Sequence, residues 1–478
     1  MTKKILAMIL AVMMVMAMSV AAFADNNGDV YQDDSLTAVN TTNNTIPLKK
    51  SIIMYNINGS DVYEPHIVYT YTVAPVTDAA LLGHVTDDGE YNSNVPVTAK
   101  VNAGVVNGVI FAGTDNTISF DPSNTIVTTS ATGVEVEYGT NLTVDLSKFT
   151  HAGIYRYLIT EADNSAAVTA AGMDRPSGYS SERYLDVYLS NGGTVDATTN
   201  PAGLQLTGAV IFRTDAQDTS TPTANNATTQ ITTTTYKTTG FEPSVTGDTT
   251  SSTPDYSSDT LADHYTTYDI KVTKSVTGAM GDKTHDFPFY VTITNTITGA
   301  KYTYVTKLSD ASSETSTAET VASATITKGA DDASSTLKLR DGNYVTFIGV
   351  PTNKTVDGSG NLTSPLTIEI HEYNDSVDKY VAGVADSAGA SISVVETNGD
   401  STVTTGEMNA TTGSADFSTL NLTANDATTR TVTVTNNLPQ ISPTGLVLRF
   451  APYIAMLVAG VALFLIMASR RRRNEDED

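Results

Sequence analysis

The 478-residue chain carries 27 Lys plus Arg against 52 Asp plus Glu, a formal charge of −25, which excludes binding to nucleic acid or anionic surfaces through the overall field. It has no cysteine and no tryptophan, so disulfide staples are ruled out and a sugar-stacking lectin is disfavoured. The length suits two or three domains.

At the N-terminus, Lys3 and Lys4 precede an apolar run from Ile5 to about Val20, and Ala22-Phe23-Ala24 forms a small-x-small cleavage site before Asp25. That order is a signal peptide over residues 1–24, followed by a flexible segment at 25–44. The body is rich in Thr, Val and Tyr in short alternating runs broken by Gly, Asn and Asp: HIVYTYTVAP (66–75), GIYRYLIT (153–160), YLDVYLS (184–190), FPFYVTIT (287–294), TLKLRDGNYVTFIGVP (336–351), PLTIEIHEY (365–373) and RTVTVTN (430–436). Alternation with β-branched and aromatic residues predicts an all-β chain of antiparallel sandwiches. Residues 215–260 are dense in Thr and Ser and low in apolar residues, which reads as a linker or long excursion. The chain therefore divides into 45–265 and 266–440. From Phe450 to Ala468 no charge interrupts the sequence, and Arg470–Arg473 follow. This predicts a transmembrane anchor over 446–469 with a cytoplasmic tail at 470–478, everything between signal and anchor being extracellular.

The strands contain polar residues on faces that alternation turns inward. In TTYDIKVTKSVTG (266–278), Lys274 shares its face with Tyr268, Ile270, Val272 and Val276. Glu372 falls in step with Leu366, Ile368 and Ile370, and Asn436 with Val432 and Val434. Burying an unpaired ammonium is costly, so these groups form either an ion pair with an amide beside it or a reacting set. In the second case burial favours a neutral amine and a protonated acid. The amine of Lys274 then attacks the Asn436 carbonyl, Glu372 relays protons as catalyst, and ammonia leaves an isopeptide bond. The first half repeats the pattern: Lys50 shares a face with Leu48 and Ile52, and Glu161 shares one with Tyr155, Tyr157 and Ile159. Asp263 stands where the third group belongs, and an ordinary Lys50–Asp263 ion pair is the open alternative to a bond formed with loss of water.

The six histidines (66, 84, 151, 264, 285, 371) lack metal-ligand spacing, and no nucleophile motif occurs. An enzyme acting on other molecules is thus not expected, nor a metal or cofactor. The acidic stretches at 25–29 and 87–90 read as turns in preference to calcium sites.

Ile441-Ser442-Pro443-Thr444-Gly445, standing just before the apolar span and the arginines, resembles the sorting signal of Gram-positive surface proteins. That resemblance implies cleavage by a sortase between Thr444 and Gly445; the opening Ile441-Ser442 departs from the usual Leu-Pro. HAGIYRYLITE, YLDVYLS, YDIKVTKSVTGAMGDKTHDFPFYVTI, LRDGNYVTFIGVP and VTVTNNLPQISPTG together resemble the major pilins of Gram-positive bacteria. The resemblance implies two immunoglobulin-like domains of the Cna-B or pilin type in tandem, Lys-to-Asn bonds beside a catalytic Glu, and attachment to peptidoglycan or to neighbouring subunits. It implies an acceptor lysine in the first half, for which Lys237 in TTYKTTGFE is the candidate. Departures are Asp263 in place of Asn and the long Thr-rich insertion. The function expected is a pilin or fimbrial shaft subunit; the alternative is a monomeric, wall-anchored adhesin or spacer.

Overall fold

The computed structural model describes residues 39–56, 58–78, 82, 101–113, 116–123, 126–213, 237–243, 255–257, 259–308, 313–330, 334–352, 355–356, 362–363, 366–373, 391–398, 401–407, 414–416, 420–422, 430–439 and 453–467. The signal peptide, the pentapeptide 441–445, the tail 470–478, the acidic stretches at 25–29 and 87–90 and most of 215–260 lie outside the described residues.

The described chain is nearly all β. The strands that build its two cores are β1 (Thr45–Tyr55), β2 (Ile67–Pro75), β3 (Val134–Val144), β4 (Gly153–Glu161), β5 (Glu182–Asn191), β6 (Leu204–Arg213), β7 (Asp263–Thr277), β8 (Phe287–Thr294), β9 (Lys301–Lys307), β10 (Tyr344–Pro351), β11 (Leu366–Tyr373) and β12 (Arg430–Asn437). One short helix, α1 (Ser165–Ala170), caps the turn after β4.

In the first core, β1 pairs antiparallel with β3 and parallel with the start of β7. Against them lies the sheet β2-β4-β5-β6. Leu48, Ile52, Tyr69, Tyr71, Tyr157, Leu185 and Phe241 belong to the apolar cluster between. In the second core, β7 continues between β10 and β12, with β9 beyond β10. The facing sheet is built on the antiparallel pair β8 and β11. Ile270, Val272, Phe289, Val291, Phe347, Ile368, Ile370, Val432 and Val434 fill this interior. Such sandwiches form because each strand presents apolar side chains every second residue; β12, for example, alternates buried and half-buried along its whole length.

A single strand, β7, serves both cores, and its alternation changes phase on the way. Asp263, Tyr265 and Thr267 are buried at odd positions, whereas Tyr268, Ile270, Val272, Lys274 and Val276 are buried at even ones. The switch coincides with a register shift against β10 between Tyr268 and Ile270, as a bulge produces. Asp269 is buried at this joint. Its carboxylate accepts from Asn56 Nδ2 (2.8 Å), Asn58 Nδ2 (3.1 Å), Ser60 Oγ (2.5 Å) and the Gly349 amide (3.0 Å). These donors come from the loop after β1 and from β10, so one anion ties the two cores together. Gly349 has φ +76°, and a Cβ there would lie 3.0 Å from Val62 Cγ1, which is why glycine suits this close approach.

Near the C-terminus residues 453–467 are helical with exposed side chains. Among the described residues no helix is long and apolar enough to cross a membrane; residues 446–452 and 468–469 of the expected anchor lie outside the described set.

Candidate functional site

The first and last strands of the second core, β7 and β12, are parallel neighbours, with Lys274 opposite Val434 and Val276 opposite Asn436. Lys274 and Asn436 therefore stand two residues apart on the same inward face. Glu372 enters from β11 on the opposite sheet. Lys274 Nζ donates to Glu372 Oε2 at 2.7 Å, and Asn436 Nδ2 donates to Oε1 at 2.6 Å. All three residues are fully buried, at 0% exposure.

The walls are aromatic. Lys274 Nζ lies 4.2 Å from the Phe287 ring centre and 5.9 Å from that of Phe289. Burial pulls the Lys274 ammonium down to about 8, against the opposing pull of the Glu372 carboxylate. The amine form is thereby brought close to neutral pH. Asn436 Oδ1 is buried without a hydrogen-bond partner, an expensive state for a carbonyl oxygen. Amide oxygen and nitrogen are assigned from their hydrogen-bond surroundings; a half-turn of the Asn436 amide exchanges the two and brings the oxygen to Glu372. In that orientation a protonated Glu372 donates to the carbonyl.

The first core builds the same frame. Ile52 pairs with Asp263 across the parallel β1 and β7, so Lys50 stands two residues before the position opposite Asp263, the same offset as Lys274 and Asn436. Glu161 comes from β4 on the facing sheet. Lys50 Nζ lies 3.0 Å from Asp263 Oδ2 and 3.5 Å from Glu161 Oε2. The surroundings differ, because Arg175 joins the cluster: its Nε donates to Asp263 Oδ1 (2.8 Å), and its Nη2 donates to Asp263 Oδ2 (2.9 Å) and Glu161 Oε1 (2.9 Å). Tyr69 donates to Asp263 Oδ2 at 2.8 Å, Tyr71 to Glu161 Oε2 at 3.1 Å, and Lys50 Nζ to the Tyr179 hydroxyl at 2.9 Å. Burial by itself would raise the Asp263 carboxyl, but the Lys50 charge and the hydrogen bonds and charge of Arg175 outweigh it and hold the group at about 2.

Sequence reasoning missed Arg175, Tyr69, Tyr71 and Tyr179. The two strand tyrosines carry a signal, since Tyr69 and Tyr71 alternate inward in HIVYTYTVAP. Arg175 carries none, because it follows the two-residue strand Met173–Asp174, whose pairing with β7 at Tyr265 and His264 brings it beside Asp263 only in the fold. A further buried pair, Arg156 with Asp186, is bidentate at 2.7 Å for both contacts. It lies on the other face of β4, under the Phe212 ring. Lys237 begins a short strand, Lys237–Thr238, that pairs with β6 at Phe212. Among the described residues no group of His, Asp or Glu is arranged to hold a metal ion.

Residues 268–357, which include Lys274 but neither Glu372 nor Asn436, match a family described as a domain of unknown function (DUF7601). No curated protein matches the chain. Among solved structures, the major pilin from Streptococcus pyogenes is 13% identical, with 83% of this chain and 99% of that chain covered and a TM-score of 0.37. The major pilin protein T3.2 from the same species is 14% identical, covering 83% and 98%, also at 0.37. A pilus-presented adhesin is 13% identical, covering 83% and 100%, at 0.19. Likenesses at this level transfer no residue role to the present chain.

Proposed function

We propose that this is a cell-surface structural protein, a pilin or fimbrial shaft subunit, whose second core seals itself with an isopeptide bond between Lys274 and Asn436. One observation carries the reading: three fully buried polar side chains from the first, last and facing strands meet through Glu372 at 2.7 and 2.6 Å. An ordinary buried ion pair would need no amide with an orphaned oxygen beside it.

The chemistry balances within the triad. The Lys274 amine adds to the Asn436 side-chain carbonyl while the Glu372 carboxyl hydrogen-bonds the developing oxyanion. Glu372 then returns a proton to the departing nitrogen and takes up the one released by the lysine. The C–N bond to the amide nitrogen breaks, ammonia leaves, and a secondary amide replaces a buried charge.

The bond suits a chain without cysteine. By loop-closure entropy a crosslink spanning a loop on the order of 100 residues stabilises by roughly 5 kcal/mol. Tension entering along β7 and leaving through β12 would cross at the amide, keeping the chain between the two residues off the load path. Lys50, Asp263 and Glu161 form the corresponding site of the first core, where a bond would release water and an ion pair is the alternative. In this reading a sortase joins Thr444 of the Ile441-Ser442-Pro443-Thr444-Gly445 signal to peptidoglycan or to Lys237 of a neighbouring subunit. The C-terminal apolar segment holds the chain in the membrane until then, and the mature protein stands outside the cell.

Proteolysis of the full chain followed by mass spectrometry tests the bond: a branched peptide joining Lys274 and Asn436, about 17 Da lighter than its two parts, is expected from loss of ammonia. Sortase-dependent ladders on denaturing gels test assembly; a single wall-linked band would favour the monomeric adhesin.

A further inference from the structure

We propose that Arg175 is a positioning residue that holds the first site unreacted, clamping Asp263 to Glu161 so that Lys50 remains in an ion cluster and crosslinking is confined to the second core. This rests on the crosslinking function proposed above and adds to it a control on where the bond forms.

Layout does not separate the two sites. Each has a lysine and its partner offset by two residues on parallel strands, a glutamate from the facing sheet, and a lysine with no exposure to solvent. The separation lies in charge and hydrogen bonding. The second site holds one cation, one acid and one neutral amide. The first holds two cations, Lys50 and Arg175, against two carboxylates, Asp263 and Glu161, and so is balanced as an ionic cluster.

Amide formation at Asp263 requires one carboxyl oxygen to leave as water, which requires that oxygen to gain protons. Both oxygens are instead fixed by donors that favour the anion: Oδ1 by Arg175 Nε, and Oδ2 by Arg175 Nη2, Lys50 Nζ and the Tyr69 hydroxyl. A carboxylate so held is a weak acyl electrophile. Glu161 is equally unavailable as a proton donor, since its Oε1 accepts from Arg175 Nη2 and its Oε2 from Tyr71. Without Arg175, neither its charge nor its three hydrogen bonds would hold the carboxylates ionised. Lys50 could then add to a protonated Asp263, Glu161 would carry the proton across, and water would leave.

Arg175 is also placed as a removable part. The other charged members are completely buried, but the Arg175 side chain is 18% exposed at the rim, stacked 3.9 Å from the Tyr179 ring centre. It directly follows Met173–Asp174, a two-residue strand that pairs antiparallel with β7 at Tyr265 and His264, and its side chain takes no part in that backbone pairing.

The test is peptide mapping of the full chain and of its Arg175→Met, Arg175→Gln and Arg175→Lys variants. In the unsubstituted chain Lys50 and Asp263 should appear in separate peptides of full mass, alongside the branched Lys274–Asn436 peptide. Arg175→Met and Arg175→Gln should give a branched Lys50–Asp263 peptide lighter by about 18 Da through loss of water; Arg175→Lys, which keeps a cation, should stay largely open. A Lys50–Asp263 branch in the unsubstituted chain overturns the proposal. So does its absence from uncharged variants whose first core still resists proteolysis. Collapse of the first core in both uncharged variants, with no branch formed, would reduce Arg175 to a structural residue and overturn it equally. Loss of the Lys274–Asn436 branch throughout would instead strike the crosslinking function itself.

Discussion

Two clusters built on one frame differ in what stands beside the lysine. Around Lys274 the neighbours are Phe287, Phe289, one glutamate and one neutral amide. Around Lys50 they are Tyr69, Tyr179, two carboxylates and the Arg175 guanidinium. A dry apolar wall lowers the cost of losing charge, and Lys274 is accordingly drawn down to about 8. Hydroxyls and a second cation lower the cost of keeping charge, and Asp263 is held at about 2. In the proposed reading the same geometry leads to a covalent outcome in one core and an ionic one in the other, the environment deciding between them.

The contrast breaks most completely at Glu372. Glu372→Ala removes the proton relay and leaves Lys274 buried without a counter-charge. The branched peptide should vanish, and the second core should lose the roughly 5 kcal/mol of loop closure together with several kcal/mol for the orphaned ammonium. Thermal unfolding and protease resistance read the loss, while the first core should keep its own transition. Asn436→Ala is next: it abolishes the bond but keeps the Lys274–Glu372 pair, so the loss should be nearer the loop-closure figure alone, roughly 5 kcal/mol.

The two cores should also respond to pH in separate windows, stability rising with pH in each. Asp263 has a folded-state pKa depressed to about 2, below its unfolded value of about 3.9. Its stabilising contribution, on the order of 2–3 kcal/mol, is therefore complete above about pH 4 and is lost as pH falls through 2. Lys274 is depressed in the other sense of charge, from 10.5 to about 8, so between those values the unfolded chain binds more protons and stability rises with pH. That rise belongs to the unbonded lysine and should appear in Asn436→Ala while being absent from the crosslinked chain, whose amide does not titrate there. Denaturant unfolding of each core across pH 2–10 checks both signs. The smallest effect is expected from Tyr69→Phe, which removes one donor to Asp263 and should cost the first core about 1–2 kcal/mol with no change in the second.

Alternation alone carries much of this into the sequence. Lys50, Glu161, Lys274, Glu372 and Asn436 each sit in step with apolar neighbours, and a half-buried strand turns such residues inward. Tyr69 and Tyr71 obey the same rule and were open to the same reasoning. What alternation does not reach is tertiary. In β7 the buried parity changes between Thr267 and Tyr268, so Asp263 and Lys274, on opposite faces of any regular strand, both point into a core. Thr267, Tyr268 and Asp269 are all buried there, and no periodicity in the letters marks the switch. The anchor for Asp269 is equally remote, being drawn from Asn56, Asn58, Ser60 and Gly349. Arg175, which distinguishes the surroundings of the two sites, follows a paired strand of two residues, too short to show a period.

Mass spectrometry of the proteolysed full chain tests the central claim most directly. The account expects a branched peptide joining Lys274 to Asn436, about 17 Da short of the sum of its parts. Recovery of the two residues only in separate peptides of full mass would contradict it.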